Sequence, residues 1–372
     1  MIVKGEMMMY DVVISGYYGF KNSGDDAILL AIIQGLKVYK PNIRINVLSM
    51  NPKETRRLYG VDSVNRFNMF NVYKAIKGCK LFINGGGSLL QDVTSTRSLL
   101  YYLETIKLAL RLKKKVMLYA NGIGPINIKS NEKLVKDVAN RVDLITLREE
   151  ASLKEIQRLG VDKPPVLLTA DPALTLEPIG EEEVNKILTS EEIEFKNPVV
   201  CISIRSWKQQ ESKYSDIIAK AADYLRSQYH VDILLMPMHF PQDLKVMNEI
   251  ADKMQERPFI LQKRYQVPEL LGIIKKTDLL IGMRLHALIY AATLSVPVIG
   301  LAYEAKVEGF LNYIGQACAG DISTIELQQL CGMIDEIWQN RDEVRSKLKD
   351  VVSKMKEKAM ENARLAVELI ER

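Results

Sequence analysis

The stretch from Leu280 to Phe310, LIGMRLHALIYAATLSVPVIGLAYEAKVEGF, concentrates cationic side chains where a strand, a turn and a helix would present them to one ligand. Leu279 to Ile281 form a short apolar strand, Gly282 lets the backbone turn, and Leu285, Ala287, Leu288, Tyr290 and Ala291 supply a buried helix face. Arg284 and His286 then fall in the first turn of that helix. Unpaired backbone N–H groups there favour negative charge, a guanidinium adds bidentate recognition of phosphate or carboxylate, and an imidazole can move a proton near neutral pH. After the next strand, Pro297 to Leu301, the run Tyr303-Glu304-Ala305-Lys306 puts a second cation at the carboxyl end of an adjacent strand, the edge at which open parallel sheets bind ligands. Any one of these residues alone reads as a solvated cation or a packed histidine. Together, at a helix start, they read as an anion-binding and proton-transfer site.

The elements that must position these residues alternate strand and helix, twice in matching order. The first half places strands at Asp11 to Ser15, Arg44 to Ser49, Lys80 to Asn84 and Val116 to Ala120, with helices from Asp25 to Lys37, near Pro52 to Tyr59, and a long one beyond Ser88. The second half repeats the pattern with strands at Pro198 to Ile204, Val231 to Pro237, Asp278 to Gly282 and Pro297 to Leu301. Its helices are expected at Ser215 to Gln228, Gln242 to Gln255 and after Arg284. KGCKLFINGGGSLL aligns with KKTDLLIGMRLHAL, each read as a strand, a glycine-containing turn and a Leu-led helix. Two Rossmann-like α/β domains with parallel sheets follow, as the 372 residues also suggest. The boundaries are 1–175 for the first domain, 176–197 for a linker with a short acidic helix, 198–340 for the second domain and 341–372 for a C-terminal helix. Val351, Met355, Ala359 and Ala363 give that helix a stripe read as core packing.

Composition excludes several classes. A net charge of +5 from 51 basic and 46 acidic residues, with no long basic block, does not indicate nucleic acid but suits an anionic small molecule or headgroup. Cys79, Cys201, Cys318 and Cys331 lack metal-ligand spacing and fit reduced thiols of a cytoplasm. MIVKGEMMMYDVVISG, interrupted by Lys4, Glu6 and Asp11, does not read as a signal peptide, and the apolar run Ala287 to Tyr303 is broken by Ser295 and Pro297 rather than spanning a membrane.

Three glycine-rich turns follow strands of the first half: Ser15-Gly16-Tyr17-Tyr18-Gly19 leading to Asn22-Ser23-Gly24-Asp25-Asp26, then Asn84-Gly85-Gly86-Gly87-Ser88, then Asn121-Gly122-Ile123-Gly124-Pro125. Ser23 or Asp25 is the candidate cap of the first helix. The spacing fits neither a dinucleotide fingerprint nor a P-loop. Turn chemistry explains any one of these loops. Expected on the same cleft as Arg284, and carrying Asn22, Asp26, Gln91, Asp92 and Asn121, they read as the wall of a hydroxyl-rich ligand's site.

Met283-Arg284-Leu285-His286-Ala287, with Asn22-Ser23-Gly24-Asp25, Gly85-Gly86-Gly87-Ser88-Leu89, Gly122-Ile123-Gly124-Pro125, Ser203-Ile204-Arg205 and Pro237-Met238-His239 followed by Asp243, resembles the polysaccharide pyruvyl transferases, specifically the bacterial cell-surface (S-layer) anchoring type. The resemblance runs from about Asp11 to Phe310, and its specific part is the Arg-Leu-His element. It implies a GT-B-like arrangement and transfer of a pyruvyl group from phosphoenolpyruvate to a sugar as a cyclic ketal. The acceptor in the anchoring type is N-acetylmannosamine of a lipid-linked cell-wall glycan precursor, which is compatible with peripheral contact at the inner membrane face. By the same resemblance Arg284 and His286 belong to the donor site, with Arg148 and Lys306 as further basic positions and Arg148 as a catalytic candidate beside them.

The chemistry and the residues agree. Arg205, Arg284 and Lys306 are candidate clamps for the donor's phosphate and carboxylate, and His286 is the candidate acid for protonating its methylene carbon. His239, ending a strand in Met236-Pro237-Met238-His239-Phe240-Pro241, is a donor-site candidate or a loop-shaping residue, whereas His230 reads as structural. Asp26, Asp92 or His239 could take the acceptor's proton. No cofactor and no metal is expected. A nucleotide-sugar glycosyltransferase, a sugar-phosphate epimerase and a non-catalytic glycan-binding protein stay open, the first expected to show a ribose or base clamp and the last having no use for His286 beside Arg284.

Overall fold

In the computed structural model, which describes residues 10–207 and 211–372, the chain divides into two compact units, one of residues 10–21, 25–175 and 355–372 and the other of residues 22–24 and 176–354. The expectation about a signal peptide concerns mainly residues 1–9, outside the described part. The segment 176–197, expected as a linker, carries its acidic helix and falls in the second unit.

The first unit contains β1 (Tyr10–Ser15), α1 (Ser23–Tyr39), β2 (Ile45–Ser49), α2 (Pro52–Tyr59), β3 (Asp62–Asn65), α3 (Met69–Lys77), β4 (Cys79–Asn84) and β5 (Gly87–Leu90). It continues with α4 (Thr96–Arg111), β6 (Lys115–Ile123), α5 (Lys129–Ala139), β7 (Leu144–Leu147), α6 (Glu150–Arg158) and β8 (Val166–Leu168). The strands lie parallel in the order β3-β2-β1-β4-β6-β7-β8, with β5 beside β6. Central strands of a parallel sheet are covered on both faces and therefore read as unbroken apolar runs. Val13 and Phe82 pack with Val72 and Ile76 of α3 and Leu99 and Leu103 of α4, while Val12, Ile14, Leu81 and Ile83 pack with Ile28 and Ile32 of α1 on the other side.

The second unit contains α7 (Glu181–Ser190), β9 (Val199–Ser203), α8 (Glu211–Tyr229), β10 (Asp232–Leu235), α9 (Leu244–Lys253), β11 (Phe259–Ile260) and α10 (Val267–Ile274). It goes on through β12 (Leu279–Gly282), α11 (Leu285–Thr293), β13 (Val298–Ala302), α12 (Ala305–Ile314), β14 (Ala317–Asp321) and α13 (Leu327–Gln339), in the parallel order β11-β10-β9-β12-β13-β14. Both sheets reverse direction beside their first strand, between β1 and β4 and between β9 and β12, so each has the switch point of a doubly wound fold. The expected fold class, two Rossmann-like parallel sheets with a helical C-terminus, is borne out.

The last helix, α14 (Arg341–Glu371), begins in the second unit, and its residues from Met355 onward count with the first. Met355, Ala359 and Ala363 are buried as the stripe suggested, although Val352 rather than Val351 is the enclosed neighbour. Gly35 of α1 lies so close to Ala363 that a Cβ there would come within 2.9 Å of the alanine methyl. Buried Asn362 bonds to Thr169 Oγ1 at 2.8 Å and donates to the Ala170 carbonyl.

One reading is corrected. Gly85 to Leu90 does not open a helix: Gly87–Leu90 is a short strand pairing with β6, and α4 starts only at Thr96, where the Ser95 hydroxyl accepts from the Ser98 N–H. The glycines disfavour a helix here, Gly87 taking a positive φ of 97°, and Leu89 and Leu90 are enclosed in the core beside β6.

Candidate active site

β9 and β12 end side by side at Ser203 and Gly282, and the residues after them come together at the carboxyl edge of the second sheet. Arg284 is the cap residue of α11 and His286 lies in its first turn, as expected. The Arg284 guanidinium is held by a forked pair of hydrogen bonds: Nε donates to Asp243 Oδ2 at 3.1 Å and Nη2 to Oδ1 of the same carboxylate. Asp243 is almost fully enclosed, 2% exposed in its side chain, and also accepts from the backbone N–H groups of Met238 and His239 at 3.2 and 2.9 Å. This one carboxylate therefore fixes Arg284 and the loop that carries His239.

Lys306 sits in the first turn of α12 and is ion-paired with Glu304. Arg205 differs from both. Its guanidinium lies against two aromatic rings that pack edge to face on each other, 5.2 Å from the centroid of Trp207 and 5.0 Å from that of Tyr303, with Nη1 donating to the Tyr303 hydroxyl at 3.3 Å. Its Nε is buried and has no hydrogen-bond partner, and no carboxylate neutralises it among the described residues. A buried donor left unmatched is costly unless a ligand completes it. The Tyr214 hydroxyl, accepting from the Trp207 N–H and donating to the Arg205 carbonyl, holds the loop in place.

Asn22 precedes α1 and Ser23 and Gly24 open it, yet all three count with the second unit. Asn22 bridges to His239, the Ser23 N–H donates to the Met238 carbonyl at 3.0 Å, and the Tyr290 hydroxyl lies 3.0 Å from Ser23 Oγ and donates to the Ser23 carbonyl at 2.8 Å. The Asn22 side chain accepts from the Gly24 N–H. The reading of Asn22 on the wall of the first domain is thus corrected: it belongs with His239 and α11. The imidazole of His286 lies flat against Gly24, where a Cβ would stand 2.3 Å from Nδ1. The Asn-Ser-Gly and Arg-Leu-His motifs, over 250 residues apart, meet directly.

At the carboxyl edge of the first sheet, β1 and β4 end at Ser15 and Asn84. Asn121, expected to touch an acceptor, is fully enclosed: its Nδ2 donates to the carbonyls of Gly85 and Asn84 at 2.7 and 3.3 Å, and its Oδ1 accepts from Asn84. It braces the glycine loop. Gly85 can carry no side chain, since its Cβ would lie 2.1 Å from the Tyr18 hydroxyl. Asp92 accepts from the N–H groups of Asn127 and Ile128 and from the Asn131 amide at 2.9 to 3.0 Å. Burial pushes its carboxyl up, but these hydrogen bonds outweigh it and hold the group below the usual carboxylate range, which makes it a poor base. Gln91 bonds to Thr94, and Asp26 lies half-buried in the first turn of α1.

Arg148 belongs to the first unit and is enclosed, its Nη1 2.7 Å from Asp171 Oδ2 and its Nη2 donating to Ser88 Oγ at 3.3 Å. Burial lowers its proton affinity, and Glu149 and Asp171 more than restore it, so the group stays charged. Sequence reasoning missed Arg66, a buried guanidinium among the rings of Phe20, Phe67, Tyr101 and Tyr102, at 4.3 to 5.5 Å from their centroids. No group of three or more potential metal ligands occurs among the described residues. His230 has a left-handed backbone, φ 52°, and its N–H bonds to the Arg226 carbonyl at the end of α8.

A parallel-sheet edge of this kind is where α/β folds bind ligands, and sequence comparison narrows the class. The profile of the Polysaccharide pyruvyl transferase family matches residues 22–305, so the chain belongs to that family. The chain is 21% identical to the amylovoran biosynthesis protein AmsJ of Erwinia amylovora, over 91% of this chain and 94% of that one. In fold it is similar to Anabaena Alr3699/HepE, solved with UDP-glucose (TM-score 0.64, 13% identity, 97% and 98% of the two chains). It is similar also to the UDP-GlcNAc 2-epimerase of Neisseria meningitidis (TM-score 0.66, 10% identity, 98% and 100%). At these identities the likeness concerns the fold, which is that of GT-B-like enzymes. No helix among the described residues is long and apolar enough to cross a membrane.

Proposed function

We propose that this transferase moves the pyruvyl group of phosphoenolpyruvate onto a glycan acceptor as a cyclic ketal, releasing phosphate, in the cytoplasm. The proposed acceptor is N-acetylmannosamine of a lipid-linked secondary cell-wall glycan precursor, as in S-layer anchoring. The observation that carries the donor assignment is Arg205: a guanidinium with no carboxylate partner and a buried unmatched Nε among the described residues, two residues past β9 at the switch point. Phosphoenolpyruvate offers a phosphate and a carboxylate, and both bond to a guanidinium fork. Arg284 assists with the edge that Asp243 leaves open, and Lys306 adds charge from α12.

In the proposed mechanism His286 gives a proton to the methylene carbon of the donor, leaving a cation at the adjacent carbon. One acceptor hydroxyl attacks that carbon and loses its proton to a base, phosphate departs with the electron pair of its C–O bond, and the second hydroxyl attacks the same carbon to close the ketal, its proton returning to His286. We propose His239 as the base rather than Asp92, whose carboxylate is committed to three N–H donors. Asp26 and Gln91 remain the proposed acceptor contacts of the first unit, with Asn121 and Arg148 bracing the glycine loops behind them. Neither cofactor nor metal has a step in this scheme.

Phosphate release from phosphoenolpyruvate by the purified chain, with and without acceptor glycans, tests the reading. Acceptor-dependent release supports it. Release of UDP from UDP-sugars, with phosphoenolpyruvate inert, would replace it with sugar transfer.

A further inference from the structure

We propose that the outward face of α3, with the turn before it, docks on an anionic lipid surface. α3 is apolar on both sides. Val72, Ala75 and Ile76 face inward and are buried, as in any amphipathic helix. The outward side should then be polar, but it carries Met69, Phe70 and Tyr73, exposed at 54%, 66% and 40%, and Phe67 just before it is exposed at 59%. Four consecutive residues, Phe67 to Phe70, face solvent. A group of large apolar side chains left in water on a well-packed unit marks an interaction site.

The surface is built rather than frayed. Arg66, 4% exposed, fixes the turn from below: its guanidinium lies 5.5 Å from the Phe67 ring and 4.3 Å from that of Tyr101, its Nη1 donates to the Gly16 carbonyl, and the Tyr101 hydroxyl donates to its carbonyl. The Asn68 side chain caps the helix by accepting from the Asn71 N–H.

The charges select the partner. Lys74 and Lys77 lie one turn after Phe70 and Tyr73, with Nζ 4.2 and 5.9 Å from the respective ring centroids, and neither is in an ion pair among the described residues. From Ser63 to Gln91 the sequence has no acidic residue. Aromatic rings flanked by lysines that can extend along them are the pattern of a segment at the headgroup level of an anionic bilayer, the rings entering the interface and the ammonium groups meeting phosphates. A protein partner would require no such run of one sign. The inference rests on this face alone and not on the pyruvyl-transfer reading.

Co-sedimentation of the full chain with phosphatidylglycerol-containing vesicles tests it, with pure phosphatidylcholine vesicles as reference. The chain should bind the anionic vesicles, and binding should weaken in high salt. Lys74→Glu with Lys77→Glu should lower the partition at least about 25-fold, each lysine near such a surface contributing roughly fivefold. Phe70→Ser should lower it with the charge unchanged. Val38→Ser, which removes an equally exposed apolar side chain (65%) from α1, should leave it as it was. Melting and phosphate release without lipid should match the parent in all variants. Absent binding to anionic vesicles, equal binding by the α3 variants, or a lipid-free dimer that Phe70→Ser dissociates would each overturn the proposal.

Discussion

At the switch point of the second sheet, β9 and β12 end at Ser203 and Gly282 and are followed by Arg205 and Arg284; at the same place in the first sheet, β1 and β4 end at Ser15 and Asn84 and are followed by Gly16 and Gly85. The topology is shared and the chemistry is not. The second edge carries guanidinium and imidazole groups on aromatic and carboxylate supports. The first has glycines directly after its strands, with the Arg66 guanidinium bonded to the Gly16 carbonyl from the loop after β3, and these bare glycines allow the Tyr18 ring to lie against the chain. A doubly wound sheet thus supplies a place for a ligand, and the first residues past the strand ends decide which ligand.

The comparison breaks most severely at His286. If the second edge is the site of proton transfer, His286→Gln should lower kcat by about 10²- to 10⁴-fold while calorimetry finds phosphoenolpyruvate binding little changed, since an amide can hydrogen-bond but cannot protonate carbon. Near-normal turnover would make the imidazole a positioning group and move the acid elsewhere.

Next come the two arginines, which the geometry separates. Arg205 leaves no carboxylate behind among the described residues, so Arg205→Ala should weaken donor binding by about 10- to 100-fold with the melting temperature nearly unchanged, the range expected for loss of a hydrogen bond to a charged group. Arg284→Ala strands the enclosed Asp243 and should cost about 3 to 5 kcal/mol of stability. Its activity loss alone would therefore say little about the donor. Arg284→Ala together with Asp243→Asn, which removes the stranded charge, should recover much of that stability. Equal stability loss in Arg205→Ala would mean that its ring-stacked guanidinium is structural.

These residues also mark how far the sequence can be read. Arg205, Arg284, His286 and Lys306 were visible because each follows an apolar run that ends in a strand, and polar residues at that place have few structural duties. The two-sheet fold was visible for the same reason, through its buried central strands. What hides is pairing across distance. That Asp243 would neutralise Arg284 depends on the loop after β10 meeting the turn after β12, and the cage around Arg66 takes rings from positions 20, 67, 101 and 102. The outer strands β8 and β11, three and two residues long, carry no periodic signal. Asn22 was assigned by its neighbours in sequence, whereas its hydrogen-bonded bridge is to His239.

Gly24→Ala sharpens the comparison at smaller cost. A methyl group cannot share the space of the His286 ring, and α11 is too well buried to shift, so the ring must turn away from Gly24. Misplacement of a catalytic group by about 1 Å can lower turnover roughly 100-fold, and the smaller displacement a methyl enforces should fall below that, near tenfold. The imidazole NMR signals of His286 should move while donor affinity holds. Unmoved signals with full activity would show that the close contact with Gly24 has no bearing on catalysis.

The smallest effect is expected at the first edge. The Tyr18 hydroxyl is fully buried, has no hydrogen-bond partner among the described residues, and lies against Gly85. Burial together with the nearby Asp25 carboxylate raises its pKa, so the group is a neutral phenol across the working range. An unmatched buried hydroxyl costs up to about 1 to 3 kcal/mol, part of which Tyr18→Phe removes without changing the ring. Tyr18→Phe should therefore melt a few degrees higher, a gain of about 1 kcal/mol corresponding to roughly 2 to 4 °C in units of this size. Donor affinity should stay as it was, because no cation is touched. A rise in stability with unchanged kinetics would mark the first edge as a scaffold at this position. A higher acceptor requirement with no gain in stability would instead mean that the hydroxyl finds its partner only in the working complex, among the hydroxyl groups of the glycan.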